Sequence, residues 1–341
     1  MVVFIKGKRK MKILIVMNYR GADWGGITGA VEELVASLKI EGFYINIATT
    51  HGKIRDRIKH VVHIFKIAPE YDLIMATGCG DYGFLPIFVG VLIARFFHKR
   101  VVVDFHEGYP LPFMNRFGKI IKLFLGNIPI TVASKYLLDI FNKYKLNAYL
   151  IPHQFHYEKF PKRERPFSWN KKFMWVGTFQ FMYDPETALK ACEIVLEKNP
   201  DMEFYFFGKG LLLDRLRKKY SHPKIIFKGF LPRRELLKEY QNYCVFLNTS
   251  FGDNFPLRLV EAGFNEMLII SAKYGGTCTI YSDSECLFFE RGDYKKLSNY
   301  IFEVIEKPHM HDSFRKNMHK KVMGFTWDKV RDNWLSLLNG R

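Results

Sequence analysis

The stretch Lys12-Ile-Leu-Ile-Val-Met17 leads into a glycine-bearing loop over 21–29, and then into Val31, Leu34, Val35 and Leu38 at helical spacing. A strand with one wet face alternates polar and apolar residues. A continuous apolar run instead marks a strand buried on both faces of a parallel sheet. The spacing predicts a helix over 30–40, ended by Gly42, because a helix C-terminus favours a residue free to turn left-handed. Strand, loop and covering helix are the first unit of a doubly wound α/β fold.

The same rhythm continues outward. Strands are expected at 44–49, 72–76, 100–104 and 128–133, with an apolar helix over 85–97. The second half repeats it, with strands at 173–176, 203–207, 224–227, 245–249 and 267–271 and helices at 186–197, 210–220, 234–242 and 256–264. Between the halves, 151–169 is rich in Pro, His, Lys and Arg and has neither period, so it reads as a linker. A helical tail is expected from 307 to 338. The expected organisation is an N-terminal Rossmann-like domain (11–155), a linker (156–168), a C-terminal Rossmann-like domain (169–310) and a tail returning to the first domain (311–341). Open α/β sheets bind ligands beyond the carboxyl ends of their strands, so two such edges facing each other would make a cleft.

With 341 residues, 48% of them hydrophobic and 25% charged, the chain suits two globular domains and excludes a mostly disordered one. Its five cysteines are dispersed, with no C-x-x-C pair, which argues for a reducing cytoplasm and against a structural zinc site. The first ten residues precede the first strand and read as an extension, since their basic residues follow the apolar run, the reverse of a secretory signal. The longest apolar run, 84–97, is too short to span a bilayer. A net charge of +18 favours anionic partners: nucleotide diphosphates, anionic lipids or nucleic acid.

Asp253-Asn-Phe-Pro-Leu-Arg-Leu-Val-Glu261 puts one carboxylate in the loop before a helix, with Pro256 in its first turn, and another about two turns later. On its own the pair reads equally well as an ordinary amphipathic helix. Around it stand Phe207-Gly208-Lys209-Gly210 after a strand, Lys228-Gly229-Phe230 with Glu235 and Tyr240, Gly275-Gly276, and Trp327 with Val330. The first half adds Gly25-Gly26 before a helix, Val132-Ala133-Ser134, and Ile151-Pro152.

In order and spacing, these segments resemble the GT-B retaining glycosyltransferases of family 4 (glycosyl transferases group 1) over nearly the whole chain. The resemblance implies two Rossmann-like domains and transfer of a sugar from a nucleotide-diphosphate sugar to a glycan or lipid-linked acceptor, with retention and without metal or cofactor. It implies that Glu261 binds the nucleotide ribose and that Asp253 stands where the family's first Glu meets the donor sugar. Gly177, Thr178, Gly208, Lys209, Arg258 and the segment Asn254, Phe255, Pro256 and Leu257 would line the donor site. The backbone amides of that segment would face phosphate at a helix N-terminus. Gly25 and Gly26 would let backbone approach the phosphates. His106, just past a strand in Asp104-Phe-His106-Glu107, would meet the donor sugar or the acceptor side. Its plainer reading is a loop histidine bonded to backbone, and His153 and His156 read as structural.

The chain also departs from the family. An Arg after the first glycine of the second half and a Lys six residues on usually neutralise the leaving diphosphate. Here Thr178 and Asp184 stand in those places, and Lys209, Arg233, Arg234 or Arg258 are the available substitutes. Asp253 and His153-Gln154 also replace the usual residues. These departures leave open an alternative: a catalytically degenerate relative that binds a sugar nucleotide or glycan without turnover. The segment 113–125 carries Arg116, Lys119 and Lys122 beside apolar 113, 117, 120, 121 and 124. It suits either peripheral contact with an anionic membrane or simple packing on its own sheet. No P-loop, H-E-x-x-H, G-x-S-x-G or dinucleotide fingerprint occurs, and no nucleic-acid motif.

Overall fold

A computed structural model describes residues 11–19, 26–160 and 167–340. Gly25, the first ten residues and residues 161–166 of the expected linker lie outside them. The chain forms two units. Described residues up to Ala133, Leu137–Gln154 and those from Val330 on make the first; Ser134–Tyr136 and Phe155–Lys329 make the second.

The first unit runs β1 (Lys12–Met17), α1 (Ile27–Ile40), β2 (Tyr44–Thr49), α2 (Ile54–Ile67), β3 (Leu73–Gly78), α3 (Leu85–Phe96), β4 (Arg100–Phe105), α4 (Pro110–Leu125), β5 (Ile130–Val132), α5 (Lys135–Lys143) and β6 (Ala148–Leu150). Its six strands are all parallel, in the order β2-β1-β3-β4-β5-β6. The reversal of winding beside β1 leaves helices on both faces, as the continuous apolar strands required. Leu14, Val16, Ile74, Val89 and Ile93 are among the buried residues of its core. Three segments of this unit escaped the sequence reading: α2, of which only Ile64 is buried, α5 and the three-residue β6.

The second unit runs β7 (Lys172–Val176), α6 (Pro185–Lys198), β8 (Glu203–Phe207), α7 (Leu213–Lys219), β9 (Ile225–Gly229), α8 (Arg233–Glu239), β10 (Val245–Asn248), α9 (Leu257–Phe264), β11 (Leu268–Ala272), α10 (Gly275–Ile280), β12 (Cys286–Phe289), α11 (Tyr294–Glu306) and α12 (Asp312–Met323). Its sheet, again six parallel strands, is ordered β12-β11-β10-β7-β8-β9. Aromatic rings fill its core: Phe173, Trp175, Phe179, Phe204 and Phe206 are buried together. Residues 155–160 pack into this unit as well. Phe155 bridges to Thr326, and the rings of Phe155 and Phe160 lie 5.8 and 4.7 Å from that of Phe264.

The tail is not one helix. It breaks between α12 and α13 (Trp327–Asn339), where the Phe155 amide bonds the Phe325 carbonyl at 2.9 Å. On α13, Arg331 clamps Glu41 through two bonds of 2.6 and 2.7 Å. The α4 stripe also differs from expectation. Phe113, Met114, Gly118, Ile121 and Leu125 face the sheet, while Ile120 and Leu123 are exposed beside Arg116 and Lys119.

Candidate functional site

At the carboxyl edge of the second sheet, the loops after β7, β8 and β9 are laced backbone to backbone. The amide of Gly177 bonds the carbonyl of Phe207, that of Phe179 the carbonyl of Lys209, and that of Gly208 the carbonyl of Gly229, at 3.1, 3.0 and 2.8 Å. Glycine is required at 208 on two counts. Its φ is +137°, and a Cβ there would collide with the Gly177 carbonyl. The Gly208–Gly210 turn therefore serves to bring two loops together. Lys209, on that turn, holds its ammonium 4.1 Å from the ring centroid of Phe230.

Thr178 is half-buried and Asp184 has a structural task. With φ at 44°, Asp184 caps α6, accepting from the amide and hydroxyl of Thr187 at 3.3 and 2.8 Å. A side-chain cap at this position satisfies helix amides left without partners. An acidic side chain at 184 thus has a local structural reason.

Helix α9 begins at Leu257, just after Pro256. Two of the four segment residues cannot offer a free amide there. Pro256 has no N–H, and the Phe255 amide is already bonded to the Asp253 carboxylate. That corrects the expectation that the whole run 254–257 donates outward. Asp253 also accepts from Arg258 Nη2 at 2.9 Å. Burial pushes the Asp253 carboxyl up, against the pull of Arg258 and the Phe255 amide. The Arg258 guanidinium lies 4.7 Å from the Tyr183 ring centroid, next to Asp184 in sequence. Its Nε is buried with no partner among the described residues. A cation carried by α9 thus rests on the loop from which the usual pair is missing.

Glu261 is buried, 5% exposed, on a helix whose residues 259–264 are all buried. Its two oxygens accept from Arg233 Nε at 3.0 Å and from the Tyr240 hydroxyl at 3.1 Å. Burial, and then Glu261 itself, push the Tyr240 hydroxyl well up, so it stays a donor. Arg233, the first residue of α8, is thereby committed to Glu261, while Arg234 is exposed. Gly276 of α10 completes the edge, since a Cβ there would strike the Asn254 backbone.

The first unit carries a separate polar cluster. Asp104 and His106 lie two residues apart at the end of β4, on one side of the chain. His106 Nε2 sits 2.7 Å from Asp104 Oδ2, and the Thr131 hydroxyl donates to Oδ1 at 2.7 Å. Burial works to raise Asp104, but His106 and these hydrogen bonds outweigh it and hold the carboxyl below its usual range. An ionised Asp104 fixes the His106 proton on Nε2 and leaves Nδ1 without a partner among the described residues. The His153 ring stacks on that of His106, with centroids 4.9 Å apart and planes at 13°. His153, read from sequence as structural, therefore belongs to the His106 cluster, and no local signal pointed there. Gly26, φ 68°, caps α1. His156 bonds Glu158 at 2.9 Å.

Burial and the neighbouring His106 push His153 from the ordinary 6.5 down to about 3, against the opposing pull of Asp104. Between those values the unfolded chain binds a proton that the folded one refuses. Stability therefore falls as pH drops through that window, by at most ~1.36 kcal/mol per pH unit for one proton. Asp104, lowered in the fold, loses its contribution only further down, as pH falls through its folded value. We expect His153→Gln to flatten the acid limb of urea-unfolding stability by about one proton. An unchanged slope would place the acid sensitivity elsewhere.

Residues 157–321 match the family model described as glycosyl transferases group 1. One subunit of the phosphatidylinositol N-acetylglucosaminyltransferase of Homo sapiens is 29% identical over 84 residues, which are 24% of this chain and 17% of that protein. The chain thus spans only a small part of that curated relative. Among solved structures, HepE of Anabaena in complex with UDP and glucose aligns at a TM-score of 0.77 and 14% identity, over 97% of this chain and all of that one. Sucrose-phosphate synthase from Thermosynechococcus elongatus aligns at 0.78 and 16%, over 97% and 99%. Such distant likenesses show the fold, the GT-B architecture of two Rossmann-like domains.

Proposed function

We propose that this chain, a GT-B glycosyltransferase whose residues 157–321 form a glycosyl transferases group 1 domain, moves a sugar from a nucleotide-diphosphate sugar to a glycan or lipid-linked acceptor with retention. The observation that carries the reading is the carboxyl edge of the second sheet. There a buried Glu261 is held by Arg233 and Tyr240, on a helix whose amino end lies beside the laced glycine loops. Among the described residues two side chains donate to the Glu261 oxygens, which leaves acceptor capacity for ribose hydroxyls. HepE was solved with UDP and glucose, so UDP is the first nucleotide to test.

Charge develops on the diphosphate as the sugar leaves, and fixed cations there lower the barrier. Arg258 takes that role, held by Asp253 and by the Tyr183 ring. His106, with Nδ1 unshared, accepts from a sugar hydroxyl of donor or acceptor. The transfer in this reading uses neither metal nor cofactor. None of the five cysteines is in a disulfide, which suits a reducing cytoplasm. No described helix is long and apolar enough to cross a membrane.

The test is release of nucleotide diphosphate from UDP-, GDP- and ADP-sugars, with and without EDTA. We expect turnover with one donor class, insensitive to EDTA, and a fall of about 10²–10³ in rate for Arg258→Met. Binding of a nucleotide without turnover of any donor and acceptor combination would favour the degenerate alternative instead.

A further inference from the structure

In a doubly wound domain a covering helix turns one stripe to the sheet and a polar stripe to water. Helix α3 does not. Its inner residues Ile87, Val91 and Ala94 are buried, yet its outer stripe is Phe88, Leu92 and Phe96, exposed by 45, 43 and 65%. Arg95 is its one charged residue.

The neighbours extend this stripe. On α2, Ile54, Ile58, Val62 and Phe65 recur at helical spacing and are all exposed. Phe65 meets Phe96 at 5.0 Å, ring to ring. On the other side, Phe88 stacks on Phe124 of α4 at 5.2 Å, and Ile120 and Leu123 stand out by 63 and 85%. The three helices together carry eight lysines and arginines against one carboxylate, Asp56. None of the eight meets a carboxylate among the described residues. On α4, Arg116 and Lys119 share the outer stripe with Ile120 and Leu123.

We propose that the outer face of α2, α3 and α4 docks on an anionic lipid bilayer. Apolar side chains enter the acyl boundary and the cations, whose charge no carboxylate offsets among the described residues, meet the headgroups, each contributing electrostatic attraction that a neutral surface lacks. A protein partner with an apolar face would not account for eight cations that meet no carboxylate among the described residues, even where Arg57, Arg95 and Lys122 donate to backbone carbonyls. The surface stands independently of the transferase reading. Only its use, bringing the first unit to a lipid-borne acceptor, rests on that reading.

The experiment is co-sedimentation of the full chain with vesicles of phosphatidylcholine alone and of phosphatidylcholine mixed with phosphatidylglycerol. We expect sedimentation with the anionic vesicles only, weakened by salt. The double variants Phe96→Glu with Leu123→Glu, and Arg116→Glu with Lys119→Glu, should each lower partitioning more than about tenfold. Because these side chains are exposed, the thermal midpoint and any nucleotide-induced shift should stay as in the parent chain, so a failed donor site and a failed membrane face read out separately. Absent sedimentation, or sedimentation that both variants retain, overturns the proposal. So does self-association in solution that Phe96→Glu abolishes without any vesicle binding, which would assign the face to a second copy of the chain.

Discussion

Glu261→Ala is expected to lower stability by about 3 kcal/mol and to remove most nucleotide binding at once. Removing the carboxylate strands the Tyr240 hydroxyl, which is fully buried, and takes the ion-pair partner from the partly buried Arg233 guanidinium. A buried donor left unsatisfied costs about 1–3 kcal/mol, and breaking a buried ion pair costs about 3–5. Arg233 keeps some water access, which brings the total below the sum of these ranges, to about 3 kcal/mol. For a domain of this size that is roughly 6–12 °C in thermal midpoint. Loss of the ribose contact adds a ten- to hundredfold weaker nucleotide affinity, the usual scale for a hydrogen bond to a charged group. Glu261→Gln separates the two effects. It still accepts from Tyr240 and should recover part of the stability, while nucleotide affinity stays impaired. If both variants bind nucleotide like the parent chain, Glu261 is a structural carboxylate only.

Gly208→Ala is the second large effect. The residue needs a φ of +137°, and its Cβ would meet the carbonyl of Gly177, an atom that cannot rotate away. Strain of about 1–3 kcal/mol and a comparable cost of overpacking give roughly 2–5 kcal/mol. Since the collision separates the loops after β7 and β8, nucleotide affinity should fall with stability. Gly126→Ala is the control, being at positive φ with nothing within 4 Å of its Cβ. It should cost about 1–3 kcal/mol and leave nucleotide affinity intact.

The sequence made the strands legible where burial on both faces leaves an unbroken apolar run, as in β1 and β10. Helix α2 was invisible for the opposite reason. IRDRIKHVVHIFKI buries Ile64 alone and packs only Val61 and Ile67 partly against the core, so its inward stripe is short and competes with an outward apolar one. The three-residue strand β6 is too short to show a period. The break in the tail is made by a pairing of Thr326 with Phe155, more than 170 residues upstream, which no local pattern records.

The site divides in the same way. Asp253, Glu261 and the glycine turn lie within short segments and could be read. Arg233 and Tyr240 reach Glu261 from 28 and 21 residues away, and only the order of β9, β10 and their helices brings them together. Asp184 looked like a lost cation because its capping role needs the start of α6 to be located. His153 joins His106 through the placement of β6 and the segment after that strand, beyond the reach of spacing.

The most direct measurement is the thermal midpoint of the purified chain with UDP, GDP, ADP and their sugar conjugates. A ligand that binds only the folded state at a hundred times its Kd adds about 2.7 kcal/mol. At about 2–4 °C per kcal/mol, the account predicts a rise of roughly 5–11 °C with one nucleotide class, unchanged by EDTA and lost in Glu261→Gln. A flat midpoint across the whole panel would contradict it.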